Sequence, residues 1–162
     1  MALIIIMKIK TLISNVFLSM VVAFSASSCA MDRGEYQVID GDKVLLDVAS
    51  DGHYYVNAKV NGFDVLFLID TGAFGAAVDE KSASEMGLRG AAQTAVKTAL
   101  GSSRIATSYG NEITIGPLVA SPINVSIIPI KAGSSGSRLL GMEFLSQFRV
   151  SFDDRHMLIV KR

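Results

Sequence analysis

Phe63 to Ile69 form a run that ends Val65-Leu66-Phe67-Leu68-Ile69, and the chain then passes directly into Asp70-Thr71-Gly72. A short apolar run of this kind reads as a strand buried on both faces. A carboxylate at its end has to find partners, because an unpaired buried charge is costly. Gly72 offers one solution, since a residue without Cβ lets the backbone turn sharply and bring its N–H toward the acid. Just upstream, Asn61-Gly62 separates this run from Tyr54 to Val60. That dipeptide is a strong hairpin signal, because both central residues of the tight turn need positive φ. The chain is therefore expected to build a β domain in which Asp70 ends a central strand.

The rest of the sequence fits that frame. Lys43 to Val48 is expected to be a first strand, and apolar alternation with turn signals recurs roughly every ten residues. Asp79 to Met86 predicts a short helix stopped by Gly87. Gln93 to Ala99 and Arg104 to Tyr109 flank Leu100-Gly101-Ser102-Ser103 as a second hairpin. Glu112 to Ile115 and Val119 to Ile130 are further strands around Gly116-Pro117, and residues 133–137 read as a surface loop. Ser137 to Leu140 leads into a helix over Gly141 to Phe148. Arg149 to Phe152 and Met157 to Lys161 close the domain as a hairpin around Asp153-Asp154-Arg155. With 162 residues, the chain has the length of one domain.

The N-terminus has a different character. Lys8 and Lys10 precede an apolar run from Val16 to Phe24 and the small residues Ser25 to Ala30. A basic start, a short apolar stretch and a small-residue exit describe a secretory signal over residues 1–29. The run is too short to span a bilayer, which takes about 20 residues. Met7 offers a more ordinary start than Met1. Cys29, the single cysteine, follows Ala26-Ser27-Ser28 in a setting similar to a bacterial lipobox, with Ala26 where leucine is usual. It is expected either to be lipidated and to begin the mature chain or to sit incidentally beside a plain cleavage site. Residues 30–41 are expected to be a tether and 42–162 the folded domain, held without disulfides by its core alone. From Ala30 onward 13 basic residues face 15 acidic ones, a balance that does not favour nucleic acid.

Tyr55 to Gly62, Val65 to Ala73 and a helix ending at Met86-Gly87-Leu88 resemble the first half of a retropepsin-like (clan AA) aspartic protease of the exported bacterial kind. Downstream, Leu139-Leu140-Gly141-Met142-Glu143-Phe144-Leu145 is similar to the family's segment that passes through the loop holding the active-site Asp. The resemblance covers roughly residues 50 to 162. It implies a mostly β, single-lobe acid protease fold: a small closed barrel with a flap hairpin and one or two short helices. It also implies that Asp70 is catalytic and that Thr71, Gly72 and Ala73 form the active-site loop, supported by Leu139, Leu140 and Gly141. A flap is implied around Ala99, Leu100, Gly101 and Ser102, with Leu100 in place of the family's Asn; the alternative is an ordinary surface hairpin. Phe74 stands where the family commonly has Ser, Thr or Asp, so it is expected to touch substrate through apolar contact or to alter the activity.

Only one Asp-Thr-Gly occurs. A working pair of carboxylates is then expected from two chains, which makes a homodimer part of the mechanism. The expected activity is hydrolysis of peptide bonds in an envelope protein, with no metal or cofactor, in the periplasm or cell envelope. The membrane is expected to be touched only through a lipid anchor at Cys29. The competing expectation is a catalytically silent peptide-binding or dimerisation module. His53 and His156 are too few for a zinc site without nearby cysteines. His53 is expected to be structural, and His156 to be solvated in a polar turn.

Overall fold

A computed structural model describes residues 33–98, 101–129 and 138–162. Among the described residues the chain forms eleven strands and two short helices. The strands are β1 (Gln37–Ile39), β2 (Lys43–Asp47), β3 (Tyr55–Val60), β4 (Phe63–Ile69), β5 (Ala76–Asp79), β6 (Ala92–Thr98), β7 (Gly101–Ile115), β8 (Leu118–Ile128), β9 (Leu139–Leu140), β10 (Arg149–Phe152) and β11 (His156–Val160). The helices are α1 (Glu80–Glu85) and α2 (Met142–Leu145).

The larger sheet runs β3-β4-β9-β5-β8-β7-β6, and β7 pairs back onto β3 through Lys59↔Thr114 and Val60↔Ile113. That return closes six strands into a barrel and leaves β6 attached to β7 alone. Closure removes the open edges that β sheets otherwise present. The interior holds Val56, Ala58, Val65, Phe67, Ile113, Ile123, Val125 and Leu140, all buried. Asn61 and Gly62 take positive φ at the β3–β4 turn, as the dipeptide predicts. A smaller sheet, β1-β2-β11-β10, adds Val44, Leu46, Met157 and Ile159 to the same core.

Three differences from the sequence reading have local causes. Residues 37–39, read as part of the tether, form β1, which pairs antiparallel with β2. Gly34 is also buried and accepts the Asn57 amide. Arg104 to Tyr109 and Glu112 to Ile115, read as separate strands, belong to the single strand β7. The positive φ of Gly110 is absorbed by register shifts between Ser108 and Ile113, so a bulge replaces the expected break. Asn111 fills the bulge: its side-chain amide donates to the Ser108 and Ile123 carbonyls, and its oxygen accepts from the Asn61 amide. The second helix is shorter than Gly141 to Phe148 because only Met142–Leu145 keeps helical pairing.

Candidate active site

β4 carries Asp70 to the end of the barrel. Ile69 is buried and donates its amide to the Tyr54 carbonyl, while Asp70 donates its own amide to the Leu140 carbonyl at 3.1 Å. Leu140 can reach that position because β9 lies parallel to β4, with Leu68↔Leu139 and Ile69↔Leu140 in register. The half-buried Asp70 side chain turns back on its own loop, where Oδ1 accepts the Gly72 amide at 2.8 Å. A Cβ at Gly72 would stand 3.1 Å from that same oxygen. Thr71 is exposed and Ala73 half-buried.

The Leu139-Leu140-Gly141 segment passes through this loop at close range. A Cβ on Gly141 would fall on the Ala73 carbonyl oxygen and lie 2.6 Å from the Gly75 oxygen, so only glycine fits. Immediately afterwards α2 begins, with its first amides in need of acceptors. The loop supplies them: Met142 donates to the Ala73 carbonyl at 2.9 Å and Glu143 to the Phe74 carbonyl at 2.6 Å. Loop and helix thus satisfy each other's backbone, which fixes the turn that holds Asp70.

Glu143 adds a second tie that the sequence reading missed. Its carboxylate accepts the Asn124 backbone amide at 3.1 Å and the Asn124 side-chain amide at 2.9 Å. This joins α2 to β8 beside Gly75, whose Cβ position lies 3.3 Å from Glu143 Oε2. The only sequence signal was an acid in the first turn of a helix. Asp79 is also more than an acidic first-turn residue. It is the N-cap of α1, accepts from the Ser82 amide and hydroxyl, and lies 3.8 Å from Arg138 Nε. Burial alone pushes its carboxyl up, but the Ser82 bonds and Arg138 outweigh it and hold Asp79 below the ordinary aspartate range.

Asp70, Thr71, Gly72, Ala73, Leu139, Leu140 and Gly141 therefore meet in one cluster. Phe74 stands next to it with 78% of its surface exposed. Of the expected flap tip, Gly101 and Ser102 are already in β7, because the β6–β7 ladder extends to Thr98↔Gly101. Ala99 and Leu100 lie outside the described residues, as does Cys29. His53 is exposed and sits 3.4 Å from Asp51. His156 is half-buried between two carboxylates rather than freely solvated.

The family described as "gag-polyprotein putative aspartyl protease" matches residues 56–147, more than half of the chain. The chain belongs to this family. An uncharacterized protein from the cobV 5' region of a Sinorhizobium species is 35% identical over 107 residues, covering 64% of this chain and 45% of that protein. An uncharacterized protein of Rickettsia prowazekii is 30% identical over 121 residues, covering 73% and 51%. The chain spans about half the length of these curated relatives. A crystal structure of a retropepsin-like aspartic protease from Rickettsia conorii superposes with a TM-score of 0.60 at 24% identity, over 81% of this chain and 96% of that one. This aspartyl protease family member thus has the single-lobe retropepsin-like fold.

Proposed function

We propose that the chain is an aspartic endopeptidase whose active site forms when Asp70 of one copy meets Asp70 of another. The observation that carries this reading is the Asp70 loop itself. Its carboxylate is held by the Gly72 amide, stays half-exposed, and is clamped from behind by Leu140, Gly141 and α2. Retropepsin-like proteases generally act as dimers on peptide substrates. Two carboxylates at such short range cannot both ionise easily, so they share a proton and titrate as a pair. One acts as base on a water while the other donates to the scissile carbonyl. The substrate is an extended segment of an envelope protein, and the N-terminal segment exports the enzyme, with Cys29 as its lipid anchor.

Cleavage of an unfolded protein at mildly acidic pH by wild type and by Asp70→Asn tests the chemistry. Activity confined to the wild type is expected; equal activity in both removes the claim. A strict monomer in sedimentation, with and without a substrate-like peptide, would remove the shared dyad. Mass spectrometry of the mature N-terminus reads the lipid on Cys29.

The exposed Phe74 favours a second reading, a silent module that binds extended peptides by apolar contact. It predicts peptide binding that weakens in Phe74→Ser, with no cleavage in the wild type under any dimer-forming condition.

A further inference from the structure

We propose that Glu143 is a positioning residue for a peptide bound beside Asp70. Its carboxylate, bridged to Asn124, fixes the Phe74 end of the active-site loop and leaves the Asp70 end alone. The inference rests on the reading that an extended peptide binds there, whether or not it is cut.

The loop from Asp70 to β5 is held in two separate places. At its start, the Asp70 amide donates to the Leu140 carbonyl and the Asp70 carboxylate accepts the Gly72 amide. At its far end, the Phe74 carbonyl accepts the Glu143 amide, and β5 begins two residues later at Ala76. The Phe74 side chain is exposed, so its direction is set by its backbone, and Glu143 is what holds that backbone.

β8 holds Glu143 in turn. Asn124 falls in a gap of the sheet: β7 meets β8 at Ser108↔Val125 and next at Asn111↔Ile123, and β5 joins β8 only from Ala76↔Val125 onward. Asn124 therefore has no register partner on either neighbouring strand, and a half-buried N–H needs an acceptor. One Glu143 oxygen accepts that amide at 3.1 Å and the other accepts the Asn124 side-chain amide at 2.9 Å. Bonds to a carboxylate are stronger than neutral ones. Gly75 passes against this bridge, its Cβ position 3.3 Å from Glu143 Oε2 and 3.5 Å from the Asn124 carbonyl oxygen. Phe144 and Leu145 anchor the buried side of α2, and the bridge anchors the side that faces the loop. A single residue thus grips Phe74 with its amide and β8 with its side chain.

The test uses the full chain and first reads amide hydrogen exchange by NMR at neutral pH. Glu143→Ala is expected to speed exchange of the amides at positions 142 and 143 at least about tenfold through local opening, while the β3 and β4 amides keep the wild-type rate. In Glu143→Gln the new amide oxygen accepts the Asn124 N–H, and the Asn124 side chain turns over to accept from the new NH2. Exchange there stays within about twofold of wild type. Asn124→Asp sets two carboxylates face to face, which cannot both ionise easily. It is expected to loosen the same amides at neutral pH and to tighten them again in acid, where the pair holds a proton. Adding Glu143→Gln to Asn124→Asp restores the neutral-pH rates, because an amide can donate to the new carboxylate.

The second readout is cleavage of an internally quenched peptide selected by the wild type from a random library. Glu143→Ala is expected to raise KM about tenfold with kcat within about twofold, the signature of lost binding rather than lost chemistry. Wild-type exchange rates in Glu143→Ala overturn the proposal, as does a KM that does not rise, or an Asn124→Asp defect that Glu143→Gln fails to repair. A wild type that cuts nothing ends the protease reading instead, and the exchange series then decides this one.

Discussion

Asp70 and Asp79 stand at the two ends of one short segment, the loop and strand that join β4 to α1, and the fold treats them in opposite ways. Asp79 is completely buried, with one oxygen accepting the Ser82 amide, the other the Ser82 hydroxyl, and the Arg138 guanidinium 3.8 Å away. Asp70 is half-exposed, and the hydrogen bond its carboxylate accepts comes from the Gly72 amide of its own turn. A fully buried carboxylate with both oxygens engaged stabilises a structure and is closed to a substrate. One held on a single side keeps the other side available for water or a second carboxylate. Within this segment, the open acid is the reactive candidate and the buried acid belongs to the scaffold.

Substitutions can break that contrast. Asp70→Asn keeps a side-chain acceptor for the Gly72 amide, so its unfolding free energy should move by no more than about 0.5 kcal/mol. Cleavage should fall by about 100- to 10,000-fold, the range lost with an acid–base group. Urea denaturation alongside a turnover assay reads both quantities. A large loss of stability would make Asp70 a second scaffold acid and end the contrast. Gly141→Ala comes next. Its new Cβ collides with the Ala73 and Gly75 carbonyls, backbone atoms that cannot rotate away, at a cost of about 3 kcal/mol. Activity should fall with it, because the same contact fixes the Asp70 loop. A Gly141→Ala protein as stable as wild type would show that the clamp does not set the loop.

Much of this arrangement was legible in the sequence because its determinants are local. The Asn61-Gly62 turn, the apolar β4 and the Asp-Thr-Gly end are neighbours in the chain, and period and turn chemistry read them directly. Leu139-Leu140-Gly141 was legible through resemblance, while the reason for its glycine, a close approach to Ala73 and Gly75, appears only in three dimensions. What stayed hidden depends on distant partners. Nothing around Asn111 indicates that it bonds Asn61 across the closing seam of the barrel, or that this lets β7 run through Gly110. Glu143 and Asn124 are likewise joined only by folding. β1 was missed because three residues are too short for a periodic signal, and its pairing with β2 is what makes it a strand.

Asp79 offers two smaller effects. Asp79→Ala removes the α1 cap and leaves the Ser82 hydroxyl and Arg138 without their acid, a loss of about 2 kcal/mol. Turnover per folded molecule should not change. If turnover fell while stability held, Asp79 would belong to the chemistry and the contrast would reverse.

Asp79→Asn is gentler, because an amide oxygen can still accept from the Ser82 amide while the charge is lost, and it turns the comparison into a pH experiment. The folded-state pKa of Asp79 lies below its ordinary value. Its ionised form therefore stabilises the fold fully above the unfolded value of about 3.9, and that stabilisation is lost as pH falls through the lower folded value. Asp51, held low by the Tyr55 hydroxyl, and Asp153, held low by the Arg155 and His156 amides, titrate alike in wild type and variant and cancel in the difference. The stability gap between wild type and Asp79→Asn should be constant from neutral pH down to about 4 and should shrink below it. A gap that stays constant through the acid limb would show that the Asp79 charge contributes nothing to the fold. The expected result carries a physical consequence for the proposed enzyme. Asp79, held ionised below its usual range, keeps α1 capped into mild acid.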